Sequence, residues 1–199
     1  MGNQQDTALK EWSVAISALE AGETIVLLRK GGIREVGGRF TVACDRVLLY
    51  PTHEHQRTEL LKPPYRGKVE LVASGWHPAV IPISSWAHIT DVIEVTEQAA
   101  LDALLPLHIW NDLFAVERFR WKPRSPLYVL LLRVFRLNEP VMIPYQDTYG
   151  GCRSWIELEQ SIDLTGSKPV LTDRDYAAQV QEVYHRVGQQ ALDGQNLDR

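Results

Sequence analysis

The chain has 199 residues and a formal net charge of −4 at pH 7, with 45% hydrophobic and 23% charged residues. These values are ordinary for a soluble globular protein, and one domain is the expectation for this length. The acidic balance excludes a general attraction of the whole molecule to nucleic acid or to an anionic membrane, although a local basic patch remains compatible with it.

The cysteines, the N-terminus and the apolar runs indicate the cellular compartment of the protein. Cys44 and Cys152 lie far apart and do not suggest a disulfide framework, which favours a reducing cytosol. The N-terminus lacks the pattern of a signal peptide, and the longest apolar run, over 127–132, is far too short to span a membrane. The sequence therefore predicts a cytoplasmic protein without a membrane partner.

The first half of the chain reads as one helix followed by a group of short strands. Asp6 is a candidate N-cap for a helix through Ala21, and Gly22 is placed to end it. Glycine pairs then separate apolar runs that are typical of strands, because glycine supplies the positive φ of tight turns. Strands are predicted over 24–28, 33–36, 39–43, 47–50, 68–73 and 79–83, with a short helix over 52–61.

The second half alternates helical and strand-like segments. A helix is predicted over 97–105, a second helical piece over 107–114, and a last helix beginning at Thr172. The strand over 127–137 is apolar on both faces and should be central. Further strands are predicted over 141–145 and 155–158. The pattern predicts an α+β fold with a mostly antiparallel, barrel-like sheet in one domain over 6–187, followed by a flexible tail over 188–199.

Common catalytic motifs are missing from the sequence. There is no phosphate-binding P-loop, no G-x-G-x-x-G, no H-E-x-x-H, no G-x-S-x-G and no C-x-x-C. No Asp or Glu is followed two residues later by Lys, as the carboxylate–lysine element of restriction-type nucleases requires. Enzymatic activity is therefore the less favoured interpretation, and no catalytic residue, metal site or cofactor is predicted.

Two polar segments remain as candidates for a site. His53 and His55, with Gln56, lie at the end of the strand over 47–50; two histidines of an H-x-H share one face on a strand but diverge by about 200° on a helix. Spacing alone favours a turn-to-helix junction over a metal site. Cys152 has the neighbouring cation Arg153, which lowers a thiol pKa in favourable settings, yet no histidine is placed beside it to act as a base.

Two basic segments give the strongest functional signal, and the shorter one contains Arg29, Lys30, Arg34 and Arg39 around the first glycine turns. The segment from Glu117 to Arg136 contains six basic residues and one acidic residue, in a chain of net charge −4. On a strand, Arg118, Arg120 and Lys122 would share one face, with Trp121 on the other. Such a patch is either a solvated edge strand or a footprint for phosphate. The predicted nucleic-acid-binding residues, drawn from both segments and from the loop near 150, are Arg29, Lys30, Arg39, Arg118, Arg120, Trp121, Lys122, Arg153 and Trp155.

Four segments together resemble one bacterial family. Leu9-Lys-Glu-Trp12, Leu28-Arg-Lys-Gly-Gly-Ile33, Pro51-Thr-His-Glu-His-Gln56 and Gly150-Gly-Cys-Arg-Ser-Trp155 are similar to the domain of unknown function 1802 over nearly the whole chain. The resemblance implies no established activity. Some members are joined to an Mrr-type restriction endonuclease domain, which implies a link to restriction systems.

A second resemblance concerns the fold. The segment Gly22-Glu-Thr-Ile-Val-Leu-Leu-Arg29 is similar to the opening of ASCH domains in the PUA-like group, whose motif is G-x-K-x-x-E-x-R. Gly22 and Arg29 match the spacing, whereas Thr24 and Leu27 replace the Lys and the Glu, so no catalytic role is carried over. The resemblance implies a small barrel of the kind that binds RNA or modified bases.

Three hypotheses of function follow. The favoured one is a non-catalytic module that binds nucleic acid or a nucleotide, with phosphate at the arginines and a base stacked on Trp76, Trp121 or Trp155. The second is an enzyme that uses the region of His53 and His55 or of Cys152. The third is a subunit that binds another protein through exposed apolar surface.

Overall fold

The computed structural model describes residues 3–30, 33–36, 39–42, 44–120, 126–151 and 153–188, and for 33–36 and 39–41 it describes the backbone alone. The described strands are β1 Gln4–Trp12, β2 Val26–Arg29, β3 Ile33–Val36, β4 Arg39–Val42, β5 Arg46–Thr52, β6 Val80–Val95, β7 Leu127–Pro144, β8 Trp155–Asp163 and β9 Lys168–Pro169. The described helices are α1 Ser13–Glu20, α2 Pro63–Arg66, α3 Gln98–Leu104, α4 Asp112–Arg120 and α5 Asp173–Arg186.

Seven strands form one mixed sheet in the order β2-β7-β6-β5-β1-β8, with β9 paired to β7. The pair β1–β5 is parallel and the other pairs in this sheet are antiparallel, while β3 and β4 form a separate antiparallel pair. The predicted α+β class with a mostly antiparallel sheet is confirmed. The strand order is open, yet β2 approaches β1, since Nη2 of Arg29 on the edge strand β2 donates a hydrogen bond to the Lys10 carbonyl of β1 over 2.8 Å.

The two longest strands, β6 and β7, contribute residues to both hydrophobic cores. Their pairing shifts register between Ile83 and Ser85 and again between Ile89 and Asp91, and such irregularities bend a strand. The larger core contains the first half of β7 and the apolar side of α1, and the smaller core contains Ile81, Ile83 and Ile143. The predicted central position of the strand that begins at 127 is confirmed, since β7 pairs with β2, β6 and β9.

The predicted helix over 6–21 is wrong in its first half. Residues up to Trp12 form β1, which lies between β5 and β8, so that neighbouring strands satisfy its backbone groups on both sides. Helix α1 starts at Ser13, and its Val14 N–H donates to Oε1 of Gln56 over 3.3 Å. The predicted end at Gly22 is confirmed, since this residue has φ of 70°.

Four other element predictions are corrected. The predicted helix over 52–61 is a turn followed by a 3₁₀ segment at Thr58–Leu60. Residues 68–73 form no strand, and the strand predicted over 79–83 is the start of the much longer β6. The second helical piece begins at Asp112 rather than at 107, because Oδ1 of Asn111 accepts a hydrogen bond from the Phe114 N–H over 3.2 Å and caps α4.

The last helix agrees with its prediction. The side-chain oxygen of Thr172 accepts a hydrogen bond from the Asp175 N–H over 3.1 Å, which is an N-cap at the expected residue. The predicted flexible tail lies, from residue 189 onward, outside the described residues. No helix in the described part of the chain is long and apolar enough to cross a bilayer.

Candidate functional site

A cleft of about 550 Å³ opens where the ends of β1, β2 and β5 meet the start of β6. Because β1 and β5 are parallel, with Lys10 paired to Tyr50 and Glu11 to Pro51, both strands deliver their last residues to the same edge of the sheet. The cations that line the cleft are Lys10, Arg29, Lys30, Arg118 and Arg153, and the lining carboxylates are Glu11 and Glu54. Five cations against two carboxylates leave three excess positive charges, histidines not counted, in a chain of net charge −4.

A buried ion pair lies at one side of the cleft. Oε2 of Glu11 lies 3.3 Å from Nη1 of Arg29, and their side chains are 7% and 11% exposed. Oε1 of Glu11 accepts a hydrogen bond from the Trp12 N–H over 2.8 Å. Nε of Arg29 is buried without a hydrogen-bond partner among the described residues. The pair fixes the position of Arg29 and leaves one of its donors unused.

Arg118 of one basic segment meets Arg29 and Lys30 of the other in this cleft. Nζ of Lys30 donates to the Phe119 carbonyl over 2.5 Å, which ties the end of β2 to α4. Burial lowers the pKa of Arg118, Glu11 opposes that shift, and the positive charge of Arg29 adds to it. Burial also lowers the pKa of Lys30. Positive charges are therefore held close together here, an arrangement that a bound anion would stabilise.

The loop around Gly150 completes the basic side of the cleft. Nζ of Lys10 donates to the carbonyls of Tyr149, over 2.5 Å, and Gly151, over 2.9 Å. Gly151 has φ of 74°, a conformation that favours glycine. A Cβ at Gly150 would come within 2.8 Å of the Tyr145 hydroxyl oxygen, so the glycine allows that side chain to approach. Arg153 follows this turn and is exposed.

Aromatic rings also line the cleft. His77 and Tyr145 stack with centroids 3.4 Å apart, and Tyr50 meets Tyr149 edge-on at 6.0 Å. His53 meets Trp76 edge-on at 5.7 Å. Burial raises the pKa of Tyr50, and the hydroxyls of Tyr145 and Tyr149 add to the shift, so Tyr50 stays protonated and can donate a hydrogen bond at neutral pH.

The His53-Glu54-His55 segment is a turn at the rim of the cleft. His55 has φ of 61° and its side chain is 67% exposed, whereas Nδ1 of His53 is buried and lacks a hydrogen-bond partner among the described residues. The two histidines thus occupy different surroundings. No group of three or more His, Cys, Asp or Glu side chains with metal-binding geometry occurs in the part of the chain that the structure describes.

The structure brings together some of the predicted site residues and separates others. Arg29, Lys30, Arg118, Arg153, His53 and His55 line the cleft. The prediction of a basic strand is wrong, because Arg118 and Arg120 belong to α4, where two residues are about 200° apart; Arg120 is exposed and does not line the cleft. The Arg39 side chain and residues Trp121, Lys122 and Cys152 lie outside the described residues.

Two further predicted site residues are structural. Gln56 is 6% exposed, and its side chain bonds to α1 through the Val14 N–H and the Ser13 hydroxyl. Trp155 packs against the larger core instead of lining the cleft. The sequence analysis missed Lys10, Glu11, Tyr50, Tyr145 and Tyr149. Lys10 and Glu11 form a polar end of β1, a signal that is lost when this segment is predicted as a helix.

Comparison with known proteins gives one family and a distant structural likeness. A family model described as a domain of unknown function, DUF1802, matches residues 8–182. No curated protein has a significantly similar sequence. The crystal structure of ASCH from Zymomonas mobilis aligns with a TM-score of 0.42 and 11% identity, over 88% of this chain and 93% of that chain. A mutant of that protein aligns at 0.42 and 10% identity, over 91% and 98%. The predicted similarity to ASCH domains is thus confirmed as a distant likeness of fold.

Proposed function

This chain belongs to the DUF1802 family, and we propose that it is a non-catalytic module that binds phosphate groups of a nucleic acid or nucleotide in the cleft. The observation that carries the proposal is the convergence of basic side chains from four separate segments on one concave surface. Lys10 comes from β1, Arg29 from β2, Arg118 from α4 and Arg153 from the glycine loop. A fold that places an excess of cations in one cleft of an acidic protein favours an anionic ligand.

Guanidinium groups support phosphate as the anion. Arginine presents a planar set of donors that matches the oxygens of phosphate, and it stays charged when partly buried. Arg29 is held in place by Glu11, and the neighbouring Tyr50 remains a neutral hydroxyl donor. Charged donors that are fixed before the ligand arrives lose little freedom on binding.

A matched pair of charge reversals tests the proposal. Arg153→Glu changes an exposed arginine of the cleft, and Arg174→Glu makes the same charge change at an exposed position of α5 outside the cleft lining. We expect Arg153→Glu to weaken binding of labelled oligonucleotides about tenfold or more at low salt and to reduce the salt slope by about one unit. Arg174→Glu should bind much like the wild type.

Fluorescence anisotropy with single- and double-stranded DNA and RNA, over a salt series, measures both quantities. Binding that does not respond to salt would contradict the proposal, because neutralised phosphates must release counterions. Equal loss in both variants would place the binding surface elsewhere. The link to restriction systems, implied by resemblance alone, and the cytoplasmic location stay predictions.

A further inference from the structure

The segment over 67–79 has neither helix nor strand, and it reaches the cleft through a short run that contains Gly75, Trp76 and His77. Three contacts hold this run in place. The Gly75 N–H donates a hydrogen bond to Oε1 of Glu54. Trp76 packs edge-on with His53, and His77 stacks on Tyr145. The contact of Glu54 is a charge-assisted hydrogen bond to backbone, so it fixes the path of the chain immediately before Trp76.

Trp76 lines the cleft and retains 41% of its surface exposed. His77 and Tyr145 already cover one another, with ring planes 11° apart at 3.4 Å. Trp76, by contrast, meets His53 at 84°, so the two rings do not cover each other face to face. A large aromatic side chain exposed inside a cationic cleft is the element from which nucleotide-binding sites build a stacking surface.

We propose, resting on the proposed function, that Trp76 stacks against the base of the nucleotide whose phosphate lies among the cations, and that Glu54 is the positioning residue that holds Trp76 for this contact. Glu54 acts through the Gly75 N–H and does not itself touch the base. The glutamate of the H-E-H turn, rather than its two histidines, is then the functional residue of that segment.

The test compares two ligands that differ in the base alone, adenosine 5′-monophosphate and ribose 5-phosphate, by isothermal titration calorimetry. The same comparison is made with a tetranucleotide and its abasic counterpart, which distinguishes a free nucleotide from a nucleotide within a strand. We expect the ligand with bases to bind about tenfold more tightly or better in at least one pair. Trp76→Ala should abolish this preference without changing the affinity for the ligand that lacks bases, whereas Trp76→Phe should retain much of it.

Glu54 is tested by the same ratio of affinities. Glu54→Ala should reduce the preference for the base, whereas Glu54→Gln, which keeps a side-chain oxygen that can accept from Gly75, should retain it. Removal of a negative charge strengthens phosphate binding in both variants, but this effect cancels in the ratio. Leu71→Ala is the control, because Leu71 is 74% exposed in the same segment and does not line the cleft.

The outcomes distinguish failure of this inference from failure of the proposed function on which it rests. Phosphate binding in both ligand pairs without any preference for the base would overturn the role of Trp76 and leave the proposed function intact. An unchanged preference in Glu54→Ala would overturn the role of Glu54. Absence of binding by all four ligands at low salt would overturn both the inference and the proposed function.

Discussion

His108 is a buried histidine whose environment opposes protonation. Its side chain is 3% exposed, and both ring nitrogens lack hydrogen-bond partners among the described residues. The ammonium of Lys62 donates to the His108 carbonyl and lies close enough for its charge to act on the ring. Burial, with a further contribution from Lys62, lowers the pKa of His108 from 6.5 to about 4. The neutral imidazole is therefore the form that belongs to the folded state.

This shift predicts a loss of stability in mild acid. Below pH 6.5 the unfolded chain binds a proton at this histidine and the folded chain does not, until the pH approaches about 4. The free energy of unfolding should fall across this window by on the order of 3 kcal/mol, since one pKa unit corresponds to about 1.4 kcal/mol. Urea unfolding between pH 7 and 4 measures it.

Replacement of the ring isolates its contribution. His108→Leu should remove this part of the pH dependence, whereas His185→Leu, at an exposed position of α5, should leave it unchanged. An identical slope in His108→Leu and wild type would mean that other groups cause the acid sensitivity.

Single residues also show how far the sequence predicts the site. Arg29, Lys30 and Arg118 were identified from local charge alone, and the structure brings them to one cleft. Gln56 is predicted at a candidate site with His53 and His55, yet its side chain caps α1. Local composition identifies a polar residue near a turn, but whether its side chain faces ligand or backbone depends on residues such as Val14, which lies 42 positions away.

At the scale of elements, α5 is attached to β6 by two tyrosine hydroxyls. Tyr184 donates to Oδ1 of Asp91 over 2.7 Å, and the Tyr176 hydroxyl lies 2.5 Å from the hydroxyl oxygen of Thr90. Both partner residues, Thr90 and Asp91, lie at the second register shift between β6 and β7. The irregular point of β6 is thus the point at which the helix is attached.

Loss of the Tyr184 hydroxyl should be measurable as a change in stability. Tyr184→Phe removes a hydrogen bond to a carboxylate and should lower the free energy of unfolding by about 1–2 kcal/mol. In an Asp91→Ala background the same change should cost much less, because the partner is already gone. Denaturant titration of the four proteins completes the cycle. Equal losses in both backgrounds would show that the hydroxyl acts through another group.

Elements differed in how well the sequence predicted them. The last helix was identified because its cap and its apolar face are local features. β1 was not, because its residues also suit a helix and the decision depends on β5 and β8. The basic segment near 118 was assigned to a strand from its alternating charges, whereas the Asn111 cap and packing of Phe114 and Ala115 in the core make it helical.

At the scale of the whole molecule, the described residues form surfaces of different character. The cationic cleft favours an anionic ligand, while Val80, Pro82, Met142 and Pro144 lie exposed on the paired ends of β6 and β7. Exposed apolar residues grouped in this way are compatible with the predicted protein partner, which stays a prediction. The net charge of the chain does not reveal the basic cleft, since it adds all charges together and does not show where they lie on the surface.

The position of β1 in the sheet has a consequence for folding kinetics, because β1 contacts residues that are distant in sequence. Lys10 of β1 pairs with Tyr50 of β5, and its side chain donates a hydrogen bond to the Gly151 carbonyl, 141 positions away. Contacts between such distant residues require closure of long loops, which is slow and tends to come late in folding. A ligand bound in the cleft would then stabilise the native state much more than the folding transition state. We expect it to slow unfolding while leaving the refolding rate nearly unchanged, as stopped-flow measurements with and without ligand would record.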